Sequence, residues 1–211
     1  MDPGLNSLLQ WGIENSSASN PNTTQPTQSL ETSKSRGLNA QALAHLMGGP
    51  SDADLMREAM IVIQNPESTL ESKTTAFDNF EQLVESIDNA NNLAPLGLWD
   101  PLVAQLTNVE AELRKMAAWC IGTAVQNNIK AQERLLQADA IPVLCQLAVE
   151  DEDEGVRRKC VYALSSEIRN YQPGMNEVVR HLPKDIVGPD QLSASDMQVI
   201  DAIMGKLRDK E

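Results

Sequence analysis

Side chains able to act as acid, base or nucleophile are few and scattered. The two histidines, His45 and His181, are far apart, whereas proton transfer and covalent catalysis need polar groups that converge. Cys120, Cys145 and Cys160 each fall inside an apolar helical pattern, with no CxxC or Cys/His spacing suited to a metal. Such an odd set reads as buried, reduced thiols. There is no G-x-S-x-G, H-E-x-x-H, P-loop or G-x-G-x-x-G string, and hence no recognisable nucleophile elbow, metal-activated water or phosphate cradle. The acidic run Glu150-Asp151-Glu152-Asp153-Glu154 lacks the EF-hand spacing and lies between two helical patterns, where acids favour the positive end of the next helix. The residues predict no enzyme, no cofactor and no metal site.

What remains is the chemistry of recognition. Planar side chains with several donors, and large aromatics, suit the gripping of a partner surface. They recur near the ends of long helical segments as Asn79, as Gln126, Asn127 and Asn128, and as Arg169 and Asn170, with Trp119 and Tyr162 one or two turns earlier. Each has a second reading. The asparagines equally suit helix C-termini, and the two aromatics equally suit a core between helices. Gly122 stands mid-helix, where glycine costs about 1 kcal/mol relative to alanine; close packing of two helices accounts for it better than close approach of a partner.

The elements that must position these residues are helices. Hydrophobic residues make up 41% of the 211 but aromatics only 3%, which suits a core of aliphatic side chains on packed helices rather than a β-sandwich. Thirty acidic against 17 basic side chains leave a formal charge of −13, so phosphate backbones and anionic lipid would repel the chain. Neither nucleic acid nor membrane is an expected partner. No leader-like pattern and no apolar run near the roughly 18 residues of a spanning helix is present, so the expectation is a soluble, cytoplasmic protein.

Residues 1–36 read as an arm. Leu5, Leu8, Leu9 and Ile13 share one face of a short helix, Trp11 stands off that face, and Asn15 to Arg36 is a polar linker. Trp11 with Leu8 and Leu9 looks like a peptide-like recognition element. Residues 37–211 read as one helical domain. A short helix from Leu38 to Met47 stops at Gly48-Gly49-Pro50, and Ser51 with Asp54, then Ser68 with Glu71, resemble capping boxes for two more. The second of these holds its period from Leu70 to Ile87 and stops at Asp88-Asn89-Ala90-Asn91-Asn92.

Internal repetition fixes the architecture. Arg114-Lys115-Met116-Ala117-Ala118-Trp119-Cys120-Ile121 aligns with Arg157-Arg158-Lys159-Cys160-Val161-Tyr162-Ala163-Leu164 at 43 residues, and Pro101-Leu102-Val103 aligns with Pro142-Val143-Leu144 at 41. Lys73, Ala76, Phe80 and Val84 fall 41 residues before Arg114, Ala117, Ile121 and Val125. These offsets are those of HEAT and armadillo repeats. A short, a medium and a long segment over residues 129–137, 140–149 and 154–171 favour the armadillo form. The predicted fold is an all-α, right-handed armadillo-type (ARM/HEAT-like) solenoid whose helical C-terminal tail has a helix around Met175 to Leu182, a loop with Pro183, Gly188 and Pro189, and a capping amphipathic helix with Met197, Ile200, Ile203, Met204 and Leu207. In that architecture the third helix of each unit lines the concave surface.

Several strings together resemble a known family. Leu8-Leu9-Gln10-Trp11, Ala76-Phe77-Asp78-Asn79-Phe80-Glu81, Asp88-Asn89-Ala90-Asn91-Asn92, Leu98-Trp99-Asp100-Pro101-Leu102, Ile121-Gly122-Thr123-Ala124-Val125-Gln126-Asn127-Asn128, and Tyr162-Ala163-Leu164-Ser165-Ser166 with Ile168-Arg169-Asn170 are similar to the armadillo-type nucleotide exchange factors of heat-shock protein 70 (Hsp70) chaperones. These are the Fes family of fungi and its animal counterpart. The likeness spans residues 1–171, and the tail resembles the shorter fungal members. It implies a monomer whose concave face grips lobe II of the chaperone's nucleotide-binding domain and excludes the closed position of lobe I, so that ADP leaves, ATP binds and the client is released. It adds Asn89 and Asn92 to the partner-contact candidates, and gives Leu8, Leu9, Trp11 and Ile13 a role in client release. The alternative is a peptide- or cargo-reading armadillo adaptor without exchange activity. Such adaptors repeat W-x-x-x-N on the third helix, and here Thr123 stands four after Trp119.

Overall fold

The computed structural model describes residues 49–188 and 192–209. The arm residues Leu8, Leu9, Trp11 and Ile13, the linker, the segment Leu38–Met47 with His45, and Pro189 lie outside them. Asp52–Glu211 forms one compact unit. Among the described residues all regular structure is helical: α1 Asp52–Gln64, α2 Leu70–Val84, α3 Ile87–Asn92, α4 Trp99–Ala104 running into a 3-10 turn at Gln105–Thr107, α5 Ala111–Val125, α6 Ile129–Gln137, α7 Ile141–Glu150, α8 Glu154–Ile168, α9 Gln172–His181, α10 Lys184–Val187 and α11 Met197–Arg208.

The repeat is explicit in the helix starts. α6, α7 and α8 begin at Ile129, Ile141 and Glu154, and α9, α10 and α11 begin 43 residues later at Gln172, Lys184 and Met197. The tail, expected as one helix, a loop and a capping helix, therefore continues the three-helix order, with its middle helix reduced to four residues; α11 stands where a third helix belongs, packed on α8. Proline enters α7 and α9 in the first turn, where its missing N–H would have had no intrahelical acceptor.

Third helices stack in the order α2, α5, α8, α11. Because α5 and α8 each have neighbours on two sides, their buried residues wrap most of the helix: Leu113, Met116, Ala117, Cys120, Ile121 and Val125 on α5, and Val156, Cys160, Val161, Leu164 and Ile168 on α8. All three cysteines are buried free thiols, and burial pushes the Cys145 thiol up to about 12. Gly122 exists for this packing. A Cβ there would lie 2.5 Å from Tyr162 Cδ1 and 3.0 Å from Ala163 Cα.

Two local expectations change. Thr69, not Ser68, caps α2, accepting from Ser72 N–H at 3.2 Å. The cluster Asp88–Asn92 does not end a long helix; α2 stops at Val84, and the cluster belongs to α3.

The acidic run between α7 and α8 is structural. Asp151 takes a two-point bond from Arg114, 2.7 Å from Nε and 2.9 Å from Nη2, while Arg114 Nη1 also donates to the carbonyls of Asn108 and Val109. Burial pushes the Asp151 carboxyl up, but the bonds from Arg114 and the local backbone outweigh it and hold the group below its usual range. Asp153 caps α8, accepting from Val156 N–H at 3.0 Å, and Arg157 donates to the carbonyls of Asp151 and Glu152, as Arg114 does one repeat earlier. Among the described residues no group of acids, histidines or cysteines is arranged to hold a metal ion.

Glu167, in the last turn of α8, is fully buried, with neither carboxyl oxygen hydrogen-bonded. It lies against Gly174, where an added Cβ would meet Glu167 Oε1 at 2.7 Å. Burial pushes its pKa up to about 9, so the side chain is neutral inside the fold at neutral pH.

Candidate partner-binding face

A polar ladder crosses three third helices. Thr123 Oγ1 of α5 donates to Glu81 Oε1 of α2 at 2.7 Å and lies 3.5 Å from the Tyr162 hydroxyl of α8, which donates to Gln126 Oε1 at 3.4 Å. Beside it, Lys159 Nζ of α8 stands 3.6 Å from the centroid of the Trp119 ring. Trp119 and Tyr162, 43 residues apart, are both half-buried. They belong neither wholly to the core nor to free surface: Trp119 packs against the core, Tyr162 lies over Gly122, and Lys159 stands near both rings. Burial lowers the pKa of Lys159, opposed by the field of Glu81.

The other candidates separate by position. Gln126 is exposed at the end of α5 beside the ladder. Asn127 and Asn170 are exposed and adopt left-handed backbone, φ 53° and 57°, a conformation asparagine tolerates and β-branched residues resist. They are the stops that let one unit turn into the next. Asn128 is drawn inward as the cap of α6: it is 6% exposed, accepts from Ala131 N–H and donates to the Ala124 carbonyl, both at 3.4 Å. Arg169 is tied to α11, donating to Asp201 Oδ1 at 2.6 Å and contacting Met197 Sδ at 3.2 Å, so its guanidinium first serves to hold the last helix.

Asn79 and Asn89 part from the strip. Asn79 is on the side of α2 opposite Glu81, exposed in a groove with Leu55, Glu58 and Val62 of α1. Asn89 is 7% exposed and its amide donates to Asp52 Oδ2 at 2.8 Å and to the Leu83 carbonyl at 3.0 Å, joining the start of α1 to the end of α2. Asn92 is exposed at the end of α3. His181 is on α9, where its Nε2 lies 2.8 Å from Glu177 Oε1 of the same helix.

Sequence reasoning missed Lys159, Glu81 and Thr123. The signal available was position: Lys159 is three residues before Tyr162 and Thr123 four after Trp119, so each shares a helix face with an aromatic already singled out.

Comparisons with known proteins agree with this architecture. The family model described as "Nucleotide exchange factor Fes1" matches residues 5–93, and the "SIL1/FES1/HPBP1 C-terminal domain" matches residues 89–181. The chain is 52% identical over 211 residues to a protein of Coccidioides immitis named Hsp70 nucleotide exchange factor FES1, covering 99% of each chain. Its counterpart of that name in Gibberella zeae is 50% identical, covering 99% of this chain and 97% of the relative. Among solved structures, a designed armadillo repeat protein in complex with a (KR)4 peptide superposes with a TM-score of 0.54 at 17% identity, over 81% of this chain and 74% of that one. An engineered protein does so with a TM-score of 0.56 at 17% identity, over 81% and 70%. These likenesses show the armadillo-like helical solenoid.

Proposed function

The chain belongs to the Fes1 family of nucleotide exchange factors, and from that premise we propose that it exchanges the nucleotide of Hsp70 chaperones. The observation that carries the reading is near full-length collinearity, at half identity or better, with relatives named for that activity. The site's chemistry supports it, since the third-helix face offers hydrogen-bonding and aromatic groups. The work is binding work. The protein is not an enzyme; it acts as a monomer that grips the chaperone's nucleotide-binding domain with the α5–α8 face, in a form that holds ADP poorly. Gln126, Trp119 and Tyr162 are its central contacts, with Asn92, Asn127, Asn170 and Arg169 around them, and residues 1–36, through Leu8, Leu9, Trp11 and Ile13, assist client release. No helix of the described residues is long and apolar enough to cross a membrane, and the proposal places the action in the cytoplasm.

Linkage sets the test. If the factor weakens ADP about a hundredfold, ADP must weaken the factor equally, a coupling of about 2.7 kcal/mol. Titration of the isolated nucleotide-binding domain should therefore give an affinity that falls by about that factor when ADP is saturating. Equal affinity with and without ADP would overturn the reading.

A further inference from the structure

Lys159 is a cation that the fold holds in place without a direct ion pair, although the field of Glu81 reaches it. Its ammonium lies 3.6 Å from the centroid of Trp119 and 5.8 Å from that of Tyr162, so α5 and α8 together build its seat. The charges around it make their close contacts with other groups. Glu81 accepts from Thr123 at 2.7 Å, and the neighbouring cation Lys115 is paired with Glu112 at 2.6 Å. Among the described residues no carboxylate forms an ion pair with Lys159.

An ammonium has three donors and accepts nothing. Ring faces attract it through their quadrupoles and restrain its flexible stem without satisfying those donors. A cation already positioned and partly stripped of water loses less freedom and less hydration when it pairs than a free surface lysine does. In a chain of net charge −13, a fixed positive point on the proposed binding face also sets the orientation of an acidic partner and repels Lys- or Arg-rich segments.

We propose that Lys159, seated on Trp119 and Tyr162, is an anchor of the binding face that receives a carboxylate from the partner protein's surface. The assignment rests on the exchange-factor reading and names the chemistry of one contact within it.

The experiment is titration of the full chain into an Hsp70 nucleotide-binding domain at low and high salt, using wild type, Lys159→Met, Lys159→Arg and Lys130→Met. Methionine keeps an unbranched stem on the rings and removes the charge. Lys130 is an exposed residue of α6, and its variant changes net charge equally. Lys159→Met should bind about tenfold or more weaker, with a flatter salt dependence, while Lys159→Arg and Lys130→Met stay within about threefold of wild type. Lys159→Gln carries the same test should the methionine variant lose its fold. Binding of Lys159→Met within about twofold of wild type, or with the same salt dependence, would overturn the assignment. Absence of wild-type binding would overturn the exchange-factor reading and this assignment with it.

Discussion

Replacing Glu167 by glutamine should make the protein more stable, and increasingly so as pH rises. The carboxyl is fully buried with both oxygens unbonded, and its folded pKa of about 9 lies well above the usual 4.5. Below the ordinary value the side chain is protonated in both folded and unfolded chains, and there its neutrality costs nothing. Between the two values the unfolded chain has released the proton and the folded chain still holds it, so stability falls with each unit of pH until the folded group also ionises. At about 1.4 kcal/mol per unit, the loss at pH 7.5 approaches ~4 kcal/mol as an upper figure. Glutamine keeps the shape of the neutral acid and removes the linkage. In a domain of this size, 1 kcal/mol moves the Tm by about 2–4 °C, so Glu167→Gln should melt several degrees above wild type near pH 8 and the two should converge near pH 4.5. Thermal denaturation followed by circular dichroism across that range measures the difference directly. A constant gap between the two proteins, or a glutamine variant less stable at pH 8, would refute the reasoning.

Three further outcomes follow from the packing and the caps. Gly122→Ala gains about 1 kcal/mol of helix propensity but drives a methyl into Tyr162 and the Ala163 backbone, an overpacking that costs about 1–3 kcal/mol; its Tm should fall by about 2–4 °C, and a rise would show that α5 and α8 can part freely. Asn127→Gly should keep stability within about 0.5 kcal/mol, because glycine accepts the left-handed backbone, whereas Asn127→Val should lose about 1–2 kcal/mol; equal denaturation midpoints for the two variants would contradict the stop role. Arg114→Ala leaves Asp151, whose side chain is 3% exposed, without its two-point partner, and should lower the unfolding free energy by about 2–4 kcal/mol in urea titration; a loss below about 1 kcal/mol would mean that the loop re-forms around water.

Much of this fold is legible because repetition is a property of sequence. The offset joining Trp119 to Tyr162 also spaces the starts of α5, α8 and α11, and the aliphatic composition matches third helices buried on two sides. The fourth unit was hard to see because its middle helix is only Lys184–Val187 and its third helix carries Gly205 where the earlier units carry Trp119 and Tyr162. The site was less legible for a geometric reason. A polar residue near a helix end looks alike whether it caps the helix, as Asn128 does, or lines a surface, as Gln126 does. Asn79 stands apart from the ladder because two residues along a helix is about 200° of rotation from Glu81, an angle that a list of polar residues near helix ends does not carry. Lys159 and Glu81 acquire meaning only when neighbouring helices bring them to the rings and hydroxyls of another repeat.

The central claim is tested most directly by loading a purified Hsp70 with fluorescent ADP, chasing with excess unlabelled ATP, and following loss of the label as this protein is added. Release should accelerate with added protein at substoichiometric amounts, as required of a factor that dissociates and acts again. A release rate unchanged even at stoichiometric, demonstrably bound protein would contradict the account.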